Sequence, residues 1–109
     1  MTQKVSGVYC IELGRWKYYG SSKDIEARIH QHLVALQTGT HINVKMQRVY
    51  DKHPDRFSWD VVEEVDCTAD PRLLKIREQH YISSIYGKRW VCLNLNPSAF
   101  SKRKKKQKK

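Results

Sequence analysis

Two β-rich runs, Gly7 to Leu13 and Trp16 to Gly20, are separated by only Gly14-Arg15. Both are dense in Val, Ile, Tyr and Trp, and a glycine between such runs is turn chemistry, so the chain commits early to an antiparallel hairpin. An isolated hairpin is marginal in water, so the rest of the chain must cover it and extend it. Ser21-Ser22-Lys23-Asp24 offers helix-capping side chains, and the pattern that follows to about Leu36 places Ile25, Ile29, Leu33 and Leu36 on one face before Thr38-Gly39 stops it. A second helix is expected from about Ile42 to Lys52, packing Val44 or Lys45, Met46, Val49 and Tyr50, and ended by His53-Pro54. Phe57 to Val65 is β-branched and aromatic, as a third strand would be. Asp70-Pro71 then supplies an N-cap and a first helical residue for a helix carrying Leu74, Tyr81, Ile82 and Ile85, ended by Tyr86-Gly87. A short apolar segment, Trp90 to Leu95, leads to Asn96-Pro97 and a basic tail. The order strand, strand, helix, helix, strand, helix predicts an α+β domain over residues 1–97, a small three-stranded antiparallel sheet flanked by helices, with 98–109 as a flexible basic tail.

At 109 residues, 39% hydrophobic and 10% aromatic, the chain can bury one modest core and is too apolar to be wholly disordered. No run approaches the roughly 18 apolar residues of a membrane span, and the N-terminus lacks the apolar stretch of a signal peptide, so no membrane association and a cytoplasmic location are expected. Cys10, Cys67 and Cys92 are odd in number and widely spaced, which fits reduced, mostly buried thiols rather than a disulfide framework. Of the five histidines, His30 and His32 are two apart and would point to different sides of a helix, which argues against a zinc site. The net charge of +10 is unevenly placed. Seven of the 21 basic residues are Lys102, Arg103, Lys104, Lys105, Lys106, Lys108 and Lys109, leaving 14 against 11 acidic residues, or +3, for the rest. Such a tail suits an anionic polymer, nucleic acid before a lipid surface. Contact with about five phosphates would give a log–log salt slope of roughly −4 to −5, with no sequence preference.

Three features could carry chemistry. At about 100° per residue, Glu78 falls in the middle of the stripe made by Leu74, Tyr81, Ile82 and Ile85. A carboxylate there is partly desolvated and needs a cation, either Arg77 or another basic side chain, or a magnesium ion, which often takes a single protein carboxylate. Arg28 and His32 are four apart beside the apolar face of the first helix, where a guanidinium could hold phosphate oxygens. Tyr9 and Tyr18 stand on the two arms of the hairpin; strand tyrosines usually pack, but a phenol near a metal and an arginine can have a lowered pKa and act as a base.

Taken together these positions resemble the GIY-YIG nuclease superfamily. Gly7-Val8-Tyr9 matches its first triplet and Tyr18-Tyr19-Gly20 its second, at the right separation, and Arg28 follows where the family has its catalytic arginine. His32 matches a histidine found in some members. His41, Lys45, Gln47 and Lys52-His53 resemble the middle segment of phage-type homing endonucleases, Arg77-Glu78 with Tyr81-Ile82 the metal-binding helix, and Asn94 the terminal active-site asparagine. The resemblance spans roughly Ser6 to Pro97. Valine and tyrosine replace the middle isoleucines of the two triplets, so Val8 should fill less core and the Tyr19 hydroxyl needs a partner or solvent.

The resemblance implies a metal-dependent DNA endonuclease in which Glu78 holds Mg²⁺ or Mn²⁺ and Arg28 grips the phosphoryl oxygens. It gives Tyr9 the proton of the attacking water, helped by His32 or His41, while Tyr18 and Asn94 fix water and phosphate. Lys45 and the basic tail would contact nucleic acid. One such site cuts one strand at a time, so a monomer in solution, pairing transiently on duplex DNA, is expected. The rivals are a non-catalytic nucleic-acid-binding module and, among enzymes, a structure-selective repair nuclease or an RNA nuclease. Homing members carry a separate DNA-recognition region after this domain, and with only a lysine tail here long-site specificity is not expected.

Overall fold

A computed structural model describes residues 4–66, 68, 70–88 and 91–95. The expectations for Cys67, Trp90, Asn96-Pro97 and the tail from Lys102 to Lys109 lie outside the described residues. The elements are β1 (Gly7–Leu13), β2 (Trp16–Ser22), α1 (Ile25–Thr38), α2 (Val44–Lys52), a short 3-10 turn (Pro54–Arg56), β3 (Phe57–Glu64) and α3 (Leu73–Ile85). The three strands form one antiparallel sheet in the order β2-β1-β3, so the architecture is α+β as the pattern predicts. The hairpin turns at Gly14, whose φ of 65° is left-handed, and Leu13 pairs with Trp16.

β1 is central and buried on both faces. On one side Tyr9, Ile11 and Leu13 join Ile25, Ile29 and Leu36 of α1, Met46 of α2 and Leu93; on the other Val8 packs with Leu74 of α3 and Val65. The valine expected to leave the core short is thus fully covered. β3 is the exposed edge of the sheet, and α3 lies chiefly against β2. At the opposite edge the C-terminal segment reaches β2, where the Lys17 N–H donates to the Val91 carbonyl (2.7 Å) and the Leu93 N–H to that of Lys17 (2.8 Å).

The helix ends follow local capping chemistry in two cases and depart from it in the third. Asp24 is the N-cap of α1, accepting from the Ala27 N–H at 3.3 Å, and Gly39 closes it in a left-handed conformation. α2 begins at Val44 rather than Ile42, because Asn43 is its N-cap and accepts from the Met46 N–H at 2.9 Å. Ile42 and Val44 are consequently exposed. α3 begins at Leu73, later than Asp70-Pro71 implies. The Asp70 carboxylate is taken by the Arg72 N–H and guanidinium in the turn before the helix, and no side chain caps α3. Both described cysteines, Cys10 and Cys92, are free and buried. Among the described residues no helix is long and apolar enough to cross a membrane.

Gly20, paired with Tyr9, is where the sheet and the candidate chemistry meet. A Cβ at Gly20 would lie 2.4 Å from the Tyr9 hydroxyl oxygen and 2.5 Å from its ring. Gly20→Ala must therefore push the Tyr9 ring out of a full core, at an expected ~1–3 kcal/mol. Urea denaturation should show the midpoint falling with an unchanged m-value; an unshifted midpoint would mean that the ring has room to move.

Candidate active site

The side chains that could do chemistry come from every layer of the fold. Alternation along the hairpin turns Tyr9 and Tyr18 toward α1, and the i, i+4 spacing of that helix stacks Arg28 and His32 on the side facing them. His41 sits on the loop between α1 and α2. Together Tyr18, Arg28, His32, His41 and Asn43 line a cavity of about 310 Å³.

A line of hydrogen bonds runs through it. The Tyr9 hydroxyl lies 2.8 Å from His32 Nε2, and His32 Nδ1 lies 2.7 Å from His41 Nε2. The Asn43 N–H donates to His41 Nδ1 at 3.0 Å. That backbone donor fixes the tautomers of the whole line. His41 Nδ1 must be an acceptor, so a neutral His41 carries its proton on Nε2 and gives it to His32 Nδ1. His32 then carries its own proton on Nε2, aimed at the Tyr9 oxygen. Both imidazoles are held neutral: burial, with the neighbouring His41 and Arg28, drives His32 down to about 3, and burial and Arg28 lower His41. The lowering expected of a phenol near a metal and an arginine does not come from the protein's own groups. Burial raises it well above the usual phenol value, Tyr18 adds to this, and the Arg28 guanidinium opposes it too weakly to win. Tyr18 is likewise raised by burial and then by Glu78, against Arg28. Arg28 itself is exposed, and its Nη1 donates to Gln31 Oε1 at 3.1 Å.

Glu78 is buried at 7% exposure, as the helical stripe implies. Its Oε1 accepts from Ser21 Oγ at 2.5 Å and pairs with Lys75 Nζ at 3.3 Å. Arg77, the counter-ion expected first, points instead to Glu63 at 2.9 Å, and the Tyr81 hydroxyl joins it there at 2.9 Å. Tyr19 packs its ring on Tyr81. Among the described residues no hydrogen bond reaches Glu78 Oε2, and no three His, Cys, Asp or Glu side chains converge as a metal cage. A buried carboxylate with one oxygen open suits a hard cation that keeps its other positions for water and phosphate. Asn94 is placed differently from its expected role: its amide accepts from the Tyr19 N–H (3.0 Å) and donates to the Tyr19 carbonyl (2.9 Å). It therefore acts on the site through β2, one residue from Tyr18. Lys45 Nζ donates to the Cys92 carbonyl at 3.1 Å and stands 5.1 Å over the Trp16 ring, outside this cavity. Asn43, Ser21 and Lys75 join the site without any expectation from the sequence. Of the three, Asn43 carries a local signal as an N-cap residue just inside the start expected for α2, and Ser21 one only as part of the capping run before α1.

No protein-family model matches the chain. Over 85 residues, 76% of its length, it is 35% identical to intron-associated endonuclease 1 of Enterobacteria phage T4. A solved structure of the catalytic domain of the homing endonuclease I-TevI superposes with a TM-score of 0.67 at 33% identity, covering 76% of this chain and 90% of that one. A second, of a glutamate-to-alanine variant of the intron endonuclease I-TevI catalytic domain, gives 0.65 at 33% identity over 73% and 82%. The chain belongs to the GIY-YIG endonuclease superfamily. It spans 34% of the length of the curated T4 relative, while matching nearly all of the solved catalytic domain. The two GIY-YIG triplets are thus paired strands, with the tyrosine of the first lying against the glycine of the second.

The neutral histidines set a pH signature for this GIY-YIG domain. The unfolded chain titrates His32 near 6.5, the folded chain only at about 3, so between those values the unfolded state binds more protons. Stability contributed by neutral His32 is complete above about 6.5 and is lost as pH falls, at up to ~1.4 kcal/mol per pH unit for this one proton. Urea midpoints compared at pH 7.5 and 5 should fall in the wild type and fall less in His32→Gln. An equally steep loss in both would place the acid sensitivity elsewhere.

Proposed function

We propose that this chain is a metal-dependent DNA endonuclease that hydrolyses phosphodiester bonds, of the homing type and phage-encoded. The observation that carries the reading is the meeting of a cation, a buried carboxylate and two phenols. Arg28 and Glu78 both lie close enough to Tyr9 and Tyr18 to move their proton affinities. A binding module has use for Arg28 but none for a desolvated glutamate beside a phosphate.

Glu78 would hold Mg²⁺ or Mn²⁺, which when bound supplies charge neutralisation for the leaving oxygen. The exposed Arg28 guanidinium grips the phosphoryl oxygens with the donors that Gln31 and Tyr9 leave free. Tyr9 orients the attacking water, and Tyr18, held through β2 by Asn94, forms the adjoining wall. The base is the step that the histidine line constrains. His32 already carries a proton on the nitrogen facing Tyr9, so it stabilises a phenolate there rather than taking the phenol's proton. In this role Tyr9 reacts as the phenolate, its proton lost to bulk water and its charge offset by the His32 Nε2–H and the Arg28 guanidinium, and its oxygen accepts the proton of the attacking water. A single site of this kind cuts one strand at a time, so a monomeric chain nicks duplex DNA, and cutting both strands needs a second event or a transient pair.

Supercoiled plasmid incubated with matched preparations of the wild type and Glu78→Ala, in Mg²⁺ or EDTA, tests this. Nicking that requires the metal and falls by at least about a hundredfold in the variant is expected, as for removal of a group stabilising transition-state charge. If both proteins bind DNA and neither cuts plasmid, branched DNA or RNA, the chain is a binding module. Cleavage of RNA in preference to DNA would change the substrate class.

A further inference from the structure

A second cavity, of about 330 Å³, has Lys45, Tyr86, Lys88, Asn94 and Leu95 in its lining. Two lysines are among the lining residues and no aspartate or glutamate is. Lys45 is fixed in place by the Cys92 carbonyl and the Trp16 ring, which leaves two of its three N–H bonds to give. Among the described residues no ion pair engages Lys88. Two cations sharing a concave site repel each other unless an anion sits between them. Tyr86 and Leu95 are 43% and 55% exposed at this site, giving an apolar surface beside the charge.

The two cavities have no lining residue in common, but short links along the chain tie one to the other. Asn43 lines the cleft and donates to the Leu93 carbonyl at 2.8 Å, while Lys45, two residues on, lines the second cavity. Asn94 lines the second cavity and grips the Tyr19 backbone, next to Tyr18 in the cleft.

We propose that this cavity is a second phosphodiester-binding subsite, seating a backbone phosphate of the same nucleic acid whose scissile phosphate enters the Arg28 cleft. The inference rests on the nuclease reading above. The subsite positions the strand and carries no sequence information, because it offers charge and no base-reading pattern.

The test is duplex DNA binding by the full chain, in EDTA so that nothing is cut, followed by fluorescence anisotropy across a range of KCl concentrations. Wild type is compared with Lys88→Gln and with the double variant Lys45→Gln, Lys88→Gln. Removing one lysine–phosphate pairing should make the log–log slope shallower by about 0.9, so by about 0.9 in the single and up to about 1.8 in the double variant, equally on unrelated duplexes. Since Lys45 also holds the Cys92 carbonyl, the double variant could unfold; Lys88→Gln alone then decides. A slope unchanged in Lys88→Gln while wild type binds DNA overturns the subsite and leaves the nuclease reading standing. Inorganic phosphate that binds wild type and not Lys88→Gln, with the DNA slope unchanged between the two, identifies a free-phosphate site and also overturns it. A wild type that neither binds nor nicks DNA overturns both.

Discussion

Tyr9 is buried in the main core with Ile11, Ile25 and Leu36, and its hydroxyl is carried into that burial. A buried hydroxyl left without a partner costs about 1–3 kcal/mol, a large part of what holds a domain of this size together. His32 is the partner supplied, and its own far nitrogen is then satisfied by His41, which a backbone N–H of Asn43 satisfies in turn. One packing requirement on the central strand thereby dictates the orientation of α1, the path of the following loop and the first turn of α2. Gln47 reinforces the loop by accepting from the His41 N–H and donating to the Leu36 carbonyl. The hydrogen bonds that order the cleft are the ones that satisfy the core.

Against that neutral line stand two opposite charges. Glu78 raises the proton affinity of Tyr9 and Tyr18 and Arg28 lowers it, but burial outweighs both. The cleft at rest is therefore a set of phenols and neutral imidazoles, with its formal charges at the edges. This is a low-dielectric setting in which a phosphodiester and a cation arriving together change the electrostatics far more than they would at an open surface. Lys75 gives Glu78 a counter-charge in the meantime, at a half-exposed position from which a flexible ammonium can swing away.

What is legible in the sequence is mostly what is local. The hairpin is legible because β-rich composition and a turn glycine agree, and α1 because Asp24 and Gly39 bracket an apolar stripe. Glu78 is legible as inward-facing because a helical wheel needs nothing beyond its own helix. Its partners are not, since Ser21 is 57 residues away in sequence and Arg77 is drawn off by Glu63 on a strand outside the reach of the wheel. The start of α3 is ambiguous because Asp70 has two uses: a carboxylate that could cap a helix also closes a turn, and here the Arg72 N–H claims it. The sign of the Tyr9 shift is hidden for a related reason. Sequence reveals a nearby arginine, but not that β1 is covered on both faces, and desolvation decides the outcome.

The distribution of charge follows from the same geometry. A core this small, with a strand buried on both sides, cannot also bury many basic residues, and the part of the chain before the tail is close to balanced at +3. Nucleic-acid affinity in the proposed reading must therefore come from the tail and from cations placed at cavity mouths, not from a diffuse field over the whole surface. Phosphate contacts of that kind fix register along a backbone and leave sequence unread. Where the chain grips and where it would cut are then separate questions: lysines set how long a strand stays, while the Tyr9, Arg28 and Glu78 arrangement sets what happens to the one phosphate that reaches it. A change in the first should move salt dependence and residence time, and a change in the second should move the rate of the bound complex, so the two can be altered independently.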